Sequence, residues 1–320
     1  MMFTWEKLGR IYNPIEFENR QDWMLEFAQA PCTLVCGDFV RVFFGCRPKR
    51  DANGQYVTYT TFVDLNRENL FKIEKFASKP VIELGNTGTF DEFGTYPLSI
   101  IKKENELWGY YAGWTRCESV PFNVGIGVAI SENDGETFTK VGEGPVLSYT
   151  PEEPFTLSGP KIRKFDNTYY LFYIAGDEWY LENNKPEISH KIRMAISTDG
   201  LTWKRTNKNI IPDGWDETEA QASPDVFYAN GKYHMFFCGW VPSSFRKTKT
   251  RKIGYAYSED LINWTREDTK VGIDLSEEGW DSEMIAYPHV FELDNSIYML
   301  YIGNEVGRHG FGIAKLNGKL

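Results

Sequence analysis

The sequence predicts an all-β fold: one five-bladed β-propeller built of four-stranded blades. Three observations carry this. Prolines recur ahead of apolar runs at Pro31, Pro97, Pro160, Pro224 and Pro288, 63 to 66 residues apart, and a fixed period of this size marks a repeat architecture. Aromatic residues make up 16% of the chain, and flat rings pack well on pleated surfaces. No stretch shows a strong helical period. Five such periods account for all 320 residues, so the chain reads as a single domain over 1–320. A β-sandwich or two stacked β domains would not give five regular units.

Within each unit the elements follow in order. The proline-bearing segment is the first strand. An aromatic run is the second: Leu107–Tyr111, Tyr169–Tyr173, Tyr233–Phe237 and Ile297–Tyr301. The third ends in Ala-x-Ser, at Ser131, Ser197 and Ser258. A turn such as Asp134-Gly135 or Asp199-Gly200 follows, as tight hairpins require. Phe138, Trp203 and Trp264 then open a short fourth strand. The last unit stops after Phe311–Leu316 without a fourth strand, whereas Phe3, Trp5 and Lys7 lie in a strand-like run at the other end. The N-terminal strand is therefore expected to complete the last blade and remove an exposed edge.

Composition narrows the function. The net charge of −10 disfavours a broad nucleic-acid surface and docking on anionic lipid. No run approaches the roughly 18 apolar residues of a membrane span, and the N-terminus lacks a signal-peptide core. The five cysteines match no zinc spacing and read as free thiols of a cytoplasmic protein. No nucleophile elbow, zincin helix or P-loop occurs, and four histidines without regular spacing suggest no metal site. No cofactor is expected.

First strands of a propeller line its axis, so their entries rim a funnel, the default ligand site. Five residues before the repeat prolines stand Glu26, Glu92, Phe155, Glu219 and Glu283, with Asp91 and Asp281 nearby. Converging carboxylates raise one another's pKa and prepare an acid/base pair. Trp114, Trp179, Tyr180 and Trp240 follow second strands and suit sugar faces. Arg47, Arg116, Arg163, His190, His289, Arg308 and His309 fall in or near the same loops, and arginine holds carboxylate or phosphate in a two-point grip. Arg47, His190 and Arg308 are expected to face the funnel. The basic run 247–252 reads as a solvated hairpin.

These motifs resemble the five-bladed propeller glycosidases of glycoside hydrolase families 32, 43, 68 and 130, and most closely a glycosidase-like branch related to families 43 and 130. The carriers are Gly88–Glu92, Ile126–Ser131, Glu143–Leu147, Gly279–Met284 and Arg308–Gly312. The resemblance implies carbohydrate metabolism, hydrolysis of a glycoside or polysaccharide, and catalytic carboxylates at Asp91, Glu219 and Glu283. Substrate contacts are expected from Arg47, Trp114, His190, His289 and Arg308. The chain departs from the better-known families at Gln29-Ala30-Pro31, with no aspartate beside the proline, and at Ser158-Gly159-Pro160, without a Glu-Asp-Pro run. Three readings stay open: a hydrolase, a phosphorylase or transferase that uses phosphate or a phosphorylated sugar, and a carbohydrate-binding propeller without catalysis.

Overall fold

A computed structural model describes residues 2–18, 20–242 and 250–318. It contains β1 (Trp5–Tyr12) and then five successive groups of strands. The first blade is β2 (Glu26–Val35), β3 (Phe39–Arg47), β4 (Tyr59–Asn66) and β5 (Ile73–Phe76). The second is β6 (Thr95–Lys103), β7 (Glu106–Arg116), β8 (Phe122–Ser131) and β9 (Thr139–Lys140). The third is β10 (Leu157–Phe165), β11 (Thr168–Glu182), β12 (Lys185–Ser197) and β13 (Lys204–Arg205). The fourth is β14 (Ala220–Ala229), β15 (Lys232–Trp240), β16 (Lys252–Ser258) and β17 (Trp264–Arg266). The fifth joins β18 (Ala286–Leu293), β19 (Ser296–Ile302) and β20 (Phe311–Leu316) to β1, in the order β1-β20-β19-β18. The protein is thus a five-bladed propeller of four-stranded antiparallel sheets, closed as the sequence predicts, with Trp5 opposite Leu316 and Lys7 opposite Ala314.

The repeat prolines have a backbone reason. In every first strand the ladder breaks at the proline, so that two residues face one. Ser158 pairs Ile174 and the next pair is Lys161 with Phe172; the same break separates Ala222 from Asp225 and Ala286 from His289. A bulge residue needs no ladder donor, so proline costs no hydrogen bond there. Ala30, Gly159, Ser223 and Tyr287, directly ahead of four of these prolines, have φ of 51°, 57°, 52° and 53°, and the Tyr96–Pro97 bond is cis. All five prolines line one constriction of about 30 Å³ on the axis.

The Ala-x-Ser repeat closes the hairpin between third and fourth strands. Gly135 and Gly200 donate their N–H groups to Ser131 and Ser197 Oγ at 2.9 and 2.8 Å. Ser197 and Ser258 donate in turn to Asp199 and Asp260. Backbone N–H donors hold both of these carboxyls well below the usual range.

A second repeat binds four of the five blades together. A buried acid ahead of the first strand accepts from a second-strand tyrosine and pairs with a fourth-strand cation. Asp91 accepts from Tyr111 at 2.8 Å and pairs with Lys140 at 2.6 Å. Glu153 accepts from Tyr173 at 2.7 Å and pairs with Arg205 and Arg193. Asp281 accepts from Tyr301 at 3.0 Å and from Lys7 at 2.7 Å, so the closing strand supplies the cation itself. In the fourth blade Phe237 replaces the tyrosine, and Arg266 meets Glu219 at 2.6 Å. The first blade is apolar here, with Tyr12 packed on Phe44 and Phe76.

Candidate functional site

Antiparallel order puts the entries of all first strands, the ends of second strands and the starts of third strands on one face. There a funnel of about 200 Å³ opens above the proline constriction. Its walls are aromatic: Tyr96 and Trp114 stack at 6.0 Å and 11°, and Phe122 meets Trp114 edge-on at 4.7 Å. Tyr180, Trp240 and Tyr287 complete the ring lining. The Tyr96 ring sits against Gly45, where a Cβ would fall 2.0 Å from it, so only glycine allows this placement.

The titratable lining groups are His190, Arg251, Glu182 and Glu187, together with the three tyrosines. Burial, then the Arg251 charge, pushes the His190 imidazole down to about 3, so it is neutral at pH 7. Its Nε2 lies 3.3 Å from Thr156 Oγ1, and its buried Nδ1 has no hydrogen-bond partner among the described residues. Arg251 lies over the Trp240 ring, 3.9 Å from its centroid. Both carboxylates come from one hairpin. β11 and β12 run on beyond the body of the blade, pairing Tyr180 with Glu187 and Glu182 with Lys185, so Tyr180, Glu182 and Glu187 share one face of this arm.

The sequence-derived residues distribute unevenly. Trp114 and His190 line the funnel. Arg47, at the end of β3, and Arg308, directly after the turn Asn304–Gly307 that leads to β20, lie on the same face beside it; Arg47 donates to Gln29 Oε1 at 3.0 Å and Arg308 to Glu26 Oε1 at 2.7 Å. His289 does not join them. It directly follows Pro288 and is buried on the far side of the constriction. There its Nδ1 lies 2.6 Å from Lys161 Nζ and 3.3 Å from Asp225 Oδ2, and Thr33 N–H donates to its Nε2 at 2.9 Å. Burial, then Lys161, pushes His289 down to about 4. Burial would raise Asp225, but Lys161, Arg163 and His289 outweigh it and hold the carboxyl well below its usual range. The axis is therefore plugged by a polar network beneath the funnel.

Nor does the structure bring Asp91, Glu219 and Glu283 into one pocket. Asp91 and Glu219 are buried in their own blades with Lys140 and Arg266, and Asp91 borders a separate cavity with Asn86 and Glu143. Glu283 is exposed, its N–H bound to Asn304 Oδ1 at 2.8 Å. For Asp91 and Glu219 the proximity to the repeat proline has a structural reason, since the blade clasp recurs with the same period as a site would; in the fifth blade the clasp acid is Asp281 and not Glu283. Sequence reasoning passed over Tyr96, Tyr287, Glu182, Glu187 and Arg251. Tyr96 and Tyr287 carried a signal, since both immediately precede repeat prolines. Of the basic run, 247–249 lie outside the described residues, while Arg251 reaches the funnel. Among the described residues no helix is long and apolar enough to cross a membrane, and no group of acidic, histidine or cysteine side chains could hold a metal ion.

Comparison with known proteins places the chain. It is 34% identical over 314 residues to uncharacterized protein MT1551 of Mycobacterium tuberculosis, covering 98% of this chain and 99% of that protein. The chain belongs to the MT1551 family. No protein-family model matches it. A more distant relative is the β-1,2-mannobiose phosphorylase of Thermoanaerobacter sp. (strain X514), 25% identical over 178 residues, which cover 52% of this chain and 54% of that protein. Among solved structures, a glycoside hydrolase superposes with a TM-score of 0.76 at 19% identity, covering 98% of this chain and 92% of that one. A thermostable family-43 glycoside hydrolase does so with 0.63 at 13% identity, covering 91% and 88%. These neighbours share the five-bladed propeller fold with the MT1551 family.

Proposed function

We propose that this propeller is a carbohydrate-active enzyme that cleaves a glycosidic bond in the funnel, with inorganic phosphate as the acceptor. The observation that carries the reading is the composition of the funnel. Aromatic rings line it, three of them tyrosines, its two carboxylates sit on one face of a single hairpin, and its basic groups are Arg251 and His190. Hydrolysis through two carboxylates requires them on opposite sides of the scissile bond. Phosphorolysis requires one acid and an anion site. Glu187, beside the body of the blade and three residues from His190, gives its proton to the leaving oxygen. The glycosidic C–O bond breaks, a phosphate oxygen bonds to the anomeric carbon, and the products are a sugar 1-phosphate and the shortened saccharide. Arg251 and His190 hold the phosphate, and Trp114, Arg47 and Arg308 contact the saccharide side. In this reading Asp91 and Glu219 hold their blades together, and Glu283 lies at the rim. The relatives named as mannoside phosphorylases support the same chemistry.

The test is release of sugar 1-phosphate and of free monosaccharide from β-1,2-mannobiose and a panel of other disaccharides. It is run with and without phosphate, on the native protein and on Glu187→Gln. Phosphate-dependent turnover that falls about 10²-fold in the variant, the usual scale for an acid group, is the expected result. Equal turnover without phosphate makes the enzyme a hydrolase, and sugar binding without turnover makes it a binding module.

A further inference from the structure

Beside the funnel, four arginines gather around Phe27 and Tyr56. Arg47 lies over the Phe27 ring at 4.4 Å and the Tyr56 ring at 5.1 Å, and Arg50 over Tyr56 at 4.3 Å. Arg116 donates to the Tyr56 carbonyl at 3.1 Å, and Arg308 lies 5.6 Å from the Phe27 centroid. The acids nearby are committed elsewhere. Asp51 pairs with Arg116 at 2.7 Å. Glu26 is within electrostatic reach of Arg50, but its two oxygens accept from Arg308 and from the Tyr56 hydroxyl. Glu305 pairs with Arg308 and His309.

Arg116 and Arg308 are thus matched by carboxylates, whereas Arg47 and Arg50 make no ion pair with any described residue. Arg50 bonds only the Gly54 carbonyl, at 2.8 Å. Arg47 bonds only the neutral Gln29 amide, and its Nε is buried without a hydrogen-bond partner. The Arg47 guanidinium, half out of water with a buried Nε and no ion-pair partner, is costly unless something supplies a counter-charge, while Arg50 is exposed at the mouth of the cluster and free to meet an incoming anion. The pair adjoins the funnel through Tyr96, which feels the Arg47 charge and lines the funnel wall. Ring stacking fixes both planar forks in advance, the arrangement that suits a multi-oxygen anion.

We propose that Arg47 and Arg50 form a subsite for a phosphate ester carried by the carbohydrate substrate itself, separate from the phosphate acceptor held by His190 and Arg251. This rests on the reading of the funnel as a carbohydrate site. Two sources share the chemistry: a phosphomonoester on the sugar ring, or the diphosphate of a nucleotide-linked sugar.

The test is calorimetric titration of the full-length protein with glucose 6-phosphate, mannose 6-phosphate, UDP-glucose, GDP-mannose, the two free hexoses and inorganic phosphate. It is repeated on Arg47→Gln/Arg50→Gln and on Arg50→Gln alone, a substitution at an exposed position that keeps the fold. At least one ester is expected to bind about tenfold or more tightly than its free hexose, as charged hydrogen bonds warrant, and that preference disappears in the double variant and shrinks in the single one. A monoester that wins identifies a sugar-ring phosphate, and a diphosphate that wins identifies a nucleotide-linked sugar. Esters no tighter than the hexoses, or a preference untouched by either variant, overturns the proposal. So does inorganic phosphate that matches the esters and is lost in the same variants, because the pair is then the acceptor site. Phosphorolysis of neutral disaccharides without ester binding removes this subsite alone, and arginine-dependent ester binding without phosphorolysis removes the acceptor reading alone.

Discussion

Replacing Asp91 by asparagine separates a blade clasp from a catalytic acid. The Asp91 side chain is 2% exposed, accepts from Tyr111 and pairs with Lys140, whose side chain is 19% exposed. Asparagine keeps an acceptor for Tyr111 but leaves the Lys140 ammonium without its carboxylate. Removing one partner of a fully buried pair costs about 3–5 kcal/mol, and the partial exposure of Lys140 brings the expected loss to about 2–3 kcal/mol. Unfolding entropy near 2.1 cal/mol/K per residue gives about 0.67 kcal/mol/K for a chain of this length, so the Tm falls by about 3–5 °C. The assay pairs a thermal melt with turnover at saturating substrate, which stays within about twofold of the native value if Asp91 touches no reacting atom. A variant with an unchanged melt and a hundredfold lower kcat would refute this reasoning and restore Asp91 to the reaction.

Three further outcomes follow from the same geometry. Deleting residues 1–8 removes the first half of β1, with Trp5 opposite Leu316, and the Lys7 partner of Asp281, so the Tm drops sharply and the partly exposed edge of β20 promotes association, seen by melting and light scattering; an unchanged Tm contradicts closure. His190 and His289 have folded pKa values pushed down to about 3 and about 4. The unfolded chain therefore binds more protons between about pH 6.5 and these values, and stability falls by about 1.4 kcal/mol per pH unit per histidine as pH drops through that window. Denaturant melts from pH 7 to 4 check the slope, which lessens in His190→Gln. Trp114→Ala removes the ring that stacks on Tyr96 and meets Phe122 edge-on and raises the KM for the active saccharide about tenfold or more, the scale of losing an aromatic anchor; an unchanged KM places the sugar elsewhere in the funnel.

The repeat was legible residue by residue because it is written in local backbone chemistry. Prolines mark bulges that need no donor, Ala-x-Ser marks a turn that serine closes, and the unpaired ends of the chain imply each other. These features act within a few residues or along one ladder, so one chain of letters determines them. That Lys7 fills the place of Lys140, Arg205 and Arg266 emerged only from the structure. Which side chains face the funnel was decided by tertiary structure. A bulge of one residue reverses the facing of everything ahead of it, so Tyr287 and His289, two positions apart, end on opposite sides of the proline constriction. The acids near the first strands looked like a converging set because they share a period, yet in four blades that period serves a clasp in which one carboxylate meets a cation of its own blade. The funnel's own carboxylates, Glu182 and Glu187, lie outside the period altogether. They are there because β11 and β12 run longer than the other described strands, at 15 and 13 residues, and because Trp179 of that arm packs on Phe122 of the neighbouring blade, ring centroids 5.6 Å apart.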